Sequence, residues 1–180
     1  YFLNISLKVS LHLSTYKRNK IYSKCLISLM EIIDFHQDHA KTLSNIANEA
    51  FEDEIQRGMI PFDGDYIKRR SEIPGTRIWI GTVEAKPLGF IVLTEGGAGM
   101  PSQIHLLAVD QGYRGKGFGK MLVRRAIDCW MDLKPMKIKL CTRPWNKGMR
   151  KICVELGFVP EAYLKMEYLG DDLVQCARFK

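Results

Sequence analysis

Arg114-Gly115-Lys116-Gly117-Phe118-Gly119-Lys120 is the stretch whose residue types and spacing could do chemistry. Glycines at 115, 117 and 119 remove the side chains that would hold an anion away from the free N–H groups of a helix's first turn. Those N–H groups and the positive end of the helix dipole form an anion cradle. Arg114, Lys116 and Lys120 add positive charge around it. Each such contribution is about 0.3–1 kcal/mol at a surface, yet several converging on one pyrophosphate supply much of a micromolar affinity, roughly 8 kcal/mol. The ligand this implies carries phosphate. A second chemistry-bearing side chain lies just upstream: His105, whose ordinary pKa of about 6.5 suits proton transfer near neutral pH.

The cradle works only if a strand feeds straight into a helix. Ile104, Leu106, Leu107, Ala108 and Val109 form a compact apolar run with His105 the polar residue inside it, which reads as a buried strand. By alternation the His105 side chain lies on the face opposite Ile104 and Leu106. From Phe118 onward, Met121, Leu122, Ala126, Cys129, Trp130 and Leu133 recur at helical spacing, so one stripe of that helix packs on a sheet. The glycines are evenly spaced, so the Gly-x-Gly-x-x-Gly dinucleotide fingerprint is absent. A P-loop fails at Arg114 and again at Met121.

The pattern Gln/Arg-x-x-Gly-x-Gly/Ala is met by Arg114, Gly117 and Gly119. With the strand before it, the helix after it and the Asn146 to Phe158 stretch downstream, residues 30–180 resemble the GNAT superfamily of acetyl-coenzyme A-dependent N-acetyltransferases. The resemblance implies an α/β fold of the α+β kind, with a mixed, largely antiparallel sheet splayed between its fourth and fifth strands and flanked by about four helices. It implies transfer of an acetyl group from acetyl-CoA to a primary amine, a small cationic amine or a peptide amine, directly within a ternary complex. Arg114, Gly115, Lys116, Gly117, Phe118, Gly119 and Lys120 are then the pyrophosphate site. Leu107 and Val109 are implied to bond the pantetheine arm. A backbone N–H of Leu107 or Ala108, unpaired where the strands splay, meets the thioester oxygen.

Acyl transfer to an amine needs that amine neutral. A lysine-like amine of pKa about 10.4 is mostly protonated at pH 7, a cost of roughly 4–5 kcal/mol unless a base intervenes. His105 is the candidate base, and a histidine at the matching place acts so in the arylalkylamine branch of the family; the alternative is a hydrogen-bonded core histidine. Gln103 stands where histone-type relatives place a glutamate, and it takes no proton. The family's usual acid is a tyrosine seven residues after Asn146, where this chain has Cys153. Cys153 either protonates the leaving thiolate or simply packs on the inner face of its helix, and Tyr163 and Tyr168 are substitutes. A thiol of pKa about 8.5 costs only some 2 kcal/mol to release unprotonated at pH 7. Asn146 caps its helix, bonds the cofactor arm, or does both. Departures at Gln103 and Cys153 leave a non-catalytic acyl-CoA sensor as the alternative function.

At 180 residues the chain suits one domain. Its net charge of +7 is unevenly spread. Residues 1–29 hold Lys8, Lys17, Arg18, Lys20 and Lys24 without an acid, which leaves 22 basic against 20 acidic groups in the rest. That basic extension alternates Leu3, Ile5, Leu7, Val9, Leu11 and Leu13 with polar residues, so it reads as an added strand, docked on a sheet edge or on a neighbouring subunit in a homodimer; the alternative is that residues 1–29 lie upstream of the natural start. Its charges alternate with an apolar face instead of aromatic platforms, which argues against nucleic acid. No apolar run reaches membrane-spanning length, no metal site is assigned, and five cysteines without a Cys-x-x-Cys pair fit a reduced cytoplasm. Asp38 is the expected N-cap of a helix over 38–51, and the acidic residues between Glu52 and Asp65 read as a loop, solvated or lining an amine-accepting mouth.

Overall fold

The computed structural model describes residues 29–97 and 99–180; the strand expected at the N-terminus, and a dimer made through it, lie outside the described residues. Strand β1 (Met30–Asp34) leads through a short 3-10 turn (Gln37–His39) to helices α1 (Ala40–Ala50), α2 (Glu52–Gln56) and α3 (Tyr66–Ser71). Strands β2 (Thr76–Val83), β3 (Lys86–Thr94) and β4 (Ser102–Val109) follow. Helix α4 (Phe118–Met131), strand β5 (Lys137–Thr142), helix α5 (Lys147–Glu155) and strands β6 (Val159–Tyr168) and β7 (Asp171–Phe179) complete the order. Seven strands form one sheet in the order β1-β2-β3-β4-β5-β7-β6. Among the described residues only β4 and β5 pair in parallel, and the crossover that parallel pairing demands is α4.

The mixed, largely antiparallel sheet is the architecture expected, with five α-helices among the described residues in place of about four. The additional one is α2, where Glu52, Asp53 and Glu54 fall in the first turn and favour the positive end of the dipole. Asp38 is not the cap of α1: His39 holds that place without a side-chain bond. Two hairpins close on pairs of residues with left-handed backbone, Glu84 and Ala85 (φ 50° and 61°) and Leu169 and Gly170 (φ 51° and 75°). Such turns match the twist of the strands they join.

Side chains of β3 alternate between two cores. Ile91 and Leu93 join Phe118, Leu122, Ala126 and Trp130 of α4, while Phe90 and Val92 join Leu43 and Ala47 of α1 and Ile67 of α3. Trp130 is wholly buried and its indole N–H donates to the Pro135 carbonyl at 2.9 Å. Each large side chain so buried contributes about 1.5–3 kcal/mol, so α4 is held mainly by its stripe on the sheet.

Two irregularities of β4 prepare a cleft. Its parallel pairing with β5 ends at Ile104 and Leu140, although β4 continues to Val109 and β5 to Thr142. Beyond that point the strands part and one edge of β4 is unpaired. Against β3, Val92 faces Leu106 while Leu93 faces Ile104, which leaves His105 as the extra residue of a β-bulge. The bulge resets the alternation: Ile104, Leu107 and Val109 pack toward α4, and Leu106 and Ala108 toward α1. His105 therefore does not lie opposite both Ile104 and Leu106 as strict alternation required.

Candidate active site

Between the parted strands lies a cleft of about 670 Å³, lined by Ile104 to Val109 of β4 and by Leu140 to Arg143 at the end of β5. Arg114, Gly115, Gly117, Gly119 and Lys120 line one end; Ala50, Phe51 and Leu173 contribute elsewhere on its wall.

At the glycine end the chain turns twice through left-handed backbone, at Gly115 (φ 72°) and at Gly117 (φ 97°), the N-cap of α4. Side chains rarely adopt those angles. The turns present the amides of residues 115–120 as a group, and among the described residues none of these amides reaches a backbone acceptor. That unanswered set suits the oxygens of a diphosphate. Gly119 has a different job: a Cβ there would meet Ile152 at 3.5 Å and Leu107 at 3.7 Å, ordinary contact between helix and strand.

The side chains of the cradle are less free than sequence suggested. Arg114 Nε donates to the Val109 carbonyl at 3.0 Å, tying the turn to the end of β4. Lys116 folds back to the Gly112 carbonyl at 2.7 Å and over the Tyr113 ring. Phe118 is buried with its ring against Tyr113. Lys116 and Phe118 thus offer only backbone N–H groups. Lys120 pairs with Glu155 at 2.8 Å, and its bond holds the Glu155 carboxyl below the usual range.

His105 is on the cleft wall, exposed. Desolvation by the surrounding protein, then the positive charges of Arg70 and Lys139, lower its pKa below the ordinary value. These surroundings favour the neutral imidazole, the form that accepts a proton. Gln103 and Lys139 sit side by side in the last paired rungs of β4 and β5.

Cys153 is elsewhere. It is 2% exposed within the α4-side core, outside the residues that line the cleft, and burial followed by the neighbouring Cys176 pushes its thiol up to about 12. Packing, the second of the two roles weighed for it, is the one these surroundings support. Tyr163 donates to Asp172 at 2.8 Å, and neither it nor Tyr168 lines the cleft. Asn146 does line it while capping α5, its Oδ1 accepting the Met149 N–H at 3.0 Å. The glycine that follows this helix is accounted for by its end: Gly157 is left-handed (φ 74°) and the Phe158 N–H returns to the Cys153 carbonyl at 2.9 Å, a Schellman closure that seats Phe158 in the core.

Sequence reasoning missed Arg143. Its side chain, 10% exposed, pairs through Nη1 with Glu54 at 2.6 Å and through Nε with Asp171 at 2.7 Å, and Arg57 meets the same Asp171 oxygen at 2.8 Å. Glu54 is thus buried in a charge network and not in a solvated loop. Both arginines hold the Asp171 carboxyl below the usual range. The four partners come from α2, its C-terminal end, the turn after β5 and the start of β7, so no local spacing signalled them. Among the described residues no helix is long and apolar enough to cross a membrane, and no cluster of three or more His, Cys, Asp or Glu could hold a metal ion.

Comparison with known proteins adds the following. The model of the acetyltransferase (GNAT) family matches residues 40–158. Among curated proteins, N-acetylaspartate synthetase of Xenopus tropicalis is 28% identical over 85 residues, 47% of this chain and 31% of that protein, so the chain spans about a third of the length of the relative it matches. Solved structures share the fold at low identity. Ard1 of Thermoplasma volcanium superposes with a TM-score of 0.69 at 21% identity, covering 84% of this chain and 97% of that one. A mutant of the spermidine N-acetyltransferase SpeG from Vibrio cholerae gives 0.67 at 19%, covering 84% and 94%. The putative acetyltransferase yncA of Salmonella typhimurium, solved with its cofactor acetyl-CoA, gives 0.70 at 17%, covering 84% and 94%.

Proposed function

This chain belongs to the acetyltransferase (GNAT) family, and from that premise we propose that it moves an acetyl group from acetyl-CoA to a primary amine, directly, with both bound in the cleft between β4 and β5. The observation that carries the reading is the run of unanswered amides at 115–120 placed at one end of a cleft whose wall holds His105. Names among the similar proteins include an amino-acid acceptor and a polyamine acceptor, so kinship alone leaves the amine open.

The residues fit the donor. The amides from Gly115 to Lys120 would hold its diphosphate, and the Lys120 ammonium adds charge beside them. The unpaired edge of β4 from Leu107 to Val109 would bond the pantetheine arm, and an amide of Leu107 or Ala108 would meet the thioester oxygen. Asn146 also lines the cleft and, besides its capping bond, would bond the same arm. Acetyl-CoA supplies an activated acyl carbon. His105 takes the proton from the acceptor's ammonium, directly or through one water, which removes the largest barrier at pH 7. Desolvation first, then Arg70 and Lys139, favour the neutral imidazole, and the field of those two charges eases deprotonation of an amine beside it.

Release of free coenzyme A thiol across a panel of amines tests this reading. Release that depends on an acceptor is the expected result; coenzyme binding without acceptor-dependent thiol would make the domain a sensor. His105→Ala should abolish the pH dependence of the rate while leaving coenzyme affinity close to the original, and an unchanged pH profile would remove His105 from the mechanism.

A further inference from the structure

Away from the glycine cradle the cleft reaches Arg143, and the bonding of that side chain is incomplete. A guanidinium has five N–H donors and no acceptor. Nη1 is answered by Glu54 and Nε by Asp171, but Nη2 is buried without a hydrogen-bond partner among the described residues. Leaving a buried donor unanswered costs about 1–3 kcal/mol, more where the group is charged. A fold that already brings two carboxylates to this arginine, from segments more than a hundred residues apart, leaves its third nitrogen unused.

The surroundings say what would answer it. Rings of Trp145 and Tyr168 each lie 5.6 Å from the guanidinium carbon, and both are surface rings, 57% and 41% exposed. The guanidinium is thus flanked by surface rings while Arg143 itself lines the cleft. Behind the cleft's lining, the charges of Lys139 and Arg70 both act on His105, and among the described residues neither takes part in an ion pair. Arg143 and Arg57 are matched by Glu54 and Asp171, so that network is neutral and does not cancel the excess. Glu155, the carboxylate among the described lining residues, is already paired with Lys120. An anionic oxygen has a directed donor at Nη2.

Resting on the transferase reading, we infer that the acceptor amine carries a carboxylate, as a free amino acid does, and that Nη2 of Arg143 binds that carboxylate while the amine faces His105. Arg143 is then a specificity-determining residue. The carboxylate does no chemistry; it fixes which end of the acceptor points toward the acyl carbon.

The test is acceptor-dependent thiol release from acetyl-CoA by the full chain at pH 7 with L-alanine, L-aspartate, alaninamide, a short peptide with a free N-terminus, and spermidine. Converting carboxylate to carboxamide makes the amine less basic and so more often neutral, which means that a carboxylate preference runs against intrinsic reactivity. The expected result is kcat/KM for the free amino acids above that for alaninamide by roughly ten- to a hundredfold, the scale of one charge-assisted hydrogen bond. In Arg143→Lys, which keeps the charge that Glu54 needs but lacks a second donor edge, that ratio should fall toward one. Equal or better use of alaninamide, the peptide or spermidine by the unmodified protein would overturn the inference and leave the transferase reading intact. No acceptor-dependent release from any member would remove both. The panel on the unmodified chain decides the matter even if the variant does not fold.

Discussion

The two ends of the cleft are built from different materials. The glycine end is backbone: six consecutive residues, two left-handed turns and a helix N-terminus, with its amides free and its cationic side chains tied to Val109, Gly112 and Glu155. The far end is side chain: His105 on a bulge and Arg143, which is held from behind the lining by Glu54 and Asp171, with Arg57 on the same Asp171. A diphosphate common to every reaction of such an enzyme needs only amides, which every residue carries. Choice among amines needs particular side chains at particular distances. The contrast teaches where tolerance to substitution should lie. Side-chain changes should be mild at the first end and severe at the second, and backbone changes should do harm at the first.

The largest effect expected is on chemistry at the far end. His105→Ala should lower kcat by about a hundred- to ten-thousandfold, the usual share of a general base, with coenzyme affinity nearly unchanged by calorimetry. The pKa of His105 in the unmodified protein lies below about 6.5, so kcat/KM should hold its plateau through neutral pH and decline only as pH falls through that lowered value. Lys139→Gln and Arg70→Gln each remove a cause of the lowering and should move the decline to higher pH. A decline centred above pH 7 in the unmodified protein would contradict the placement.

Next in size is the stability of the charge network. Arg143→Met leaves Glu54 buried without its partner, which should cost about 3–5 kcal/mol, read as a lower urea midpoint. Because Asp171 is held below the usual carboxylate range by Arg143 and Arg57, its contribution is full above about pH 4 and is lost as pH falls through its folded value. The gap in urea midpoint between the unmodified protein and Arg143→Met should narrow on acidification.

At the glycine end, Gly117→Ala forces a Cβ onto a backbone at φ 97°. It should cost on the order of 1 kcal/mol in stability and about tenfold in coenzyme affinity as the amides lose alignment. Gly119→Ala, whose Cβ would find ordinary contacts, should be nearly silent in both. Smallest is Lys120→Ala: its ion pair with Glu155 is on the surface, so coenzyme affinity should fall by less than about tenfold and the loss should shrink with salt.

The same contrast decides how much could be read from the chain alone. The glycine turn, β4 and α4 follow from periodicity and glycine spacing, because every determinant lies within a few residues of the element it specifies. The bulge at His105 was hidden: it depends on the register of β3 against β4, and a single strand carries no record of its neighbour's phase. Glu54 looked like part of a solvated acidic loop because its partner is 89 residues away, at the end of a strand. Cys153 drew attention through its place in the Asn146 to Phe158 pattern, whereas its surroundings, Cys176 and the α4-side core, come from distant segments.

The central claim is that the amides of residues 115–120 grip the diphosphate of coenzyme A, and calorimetric titration with coenzyme A and with pantetheine, which lacks that group, tests it most directly. The account predicts single-site heat with coenzyme A at about micromolar affinity, at least tenfold weaker binding to a folded Gly117→Ala protein, and little binding of pantetheine by either. No heat with coenzyme A, or affinity for it unchanged by Gly117→Ala, would contradict it.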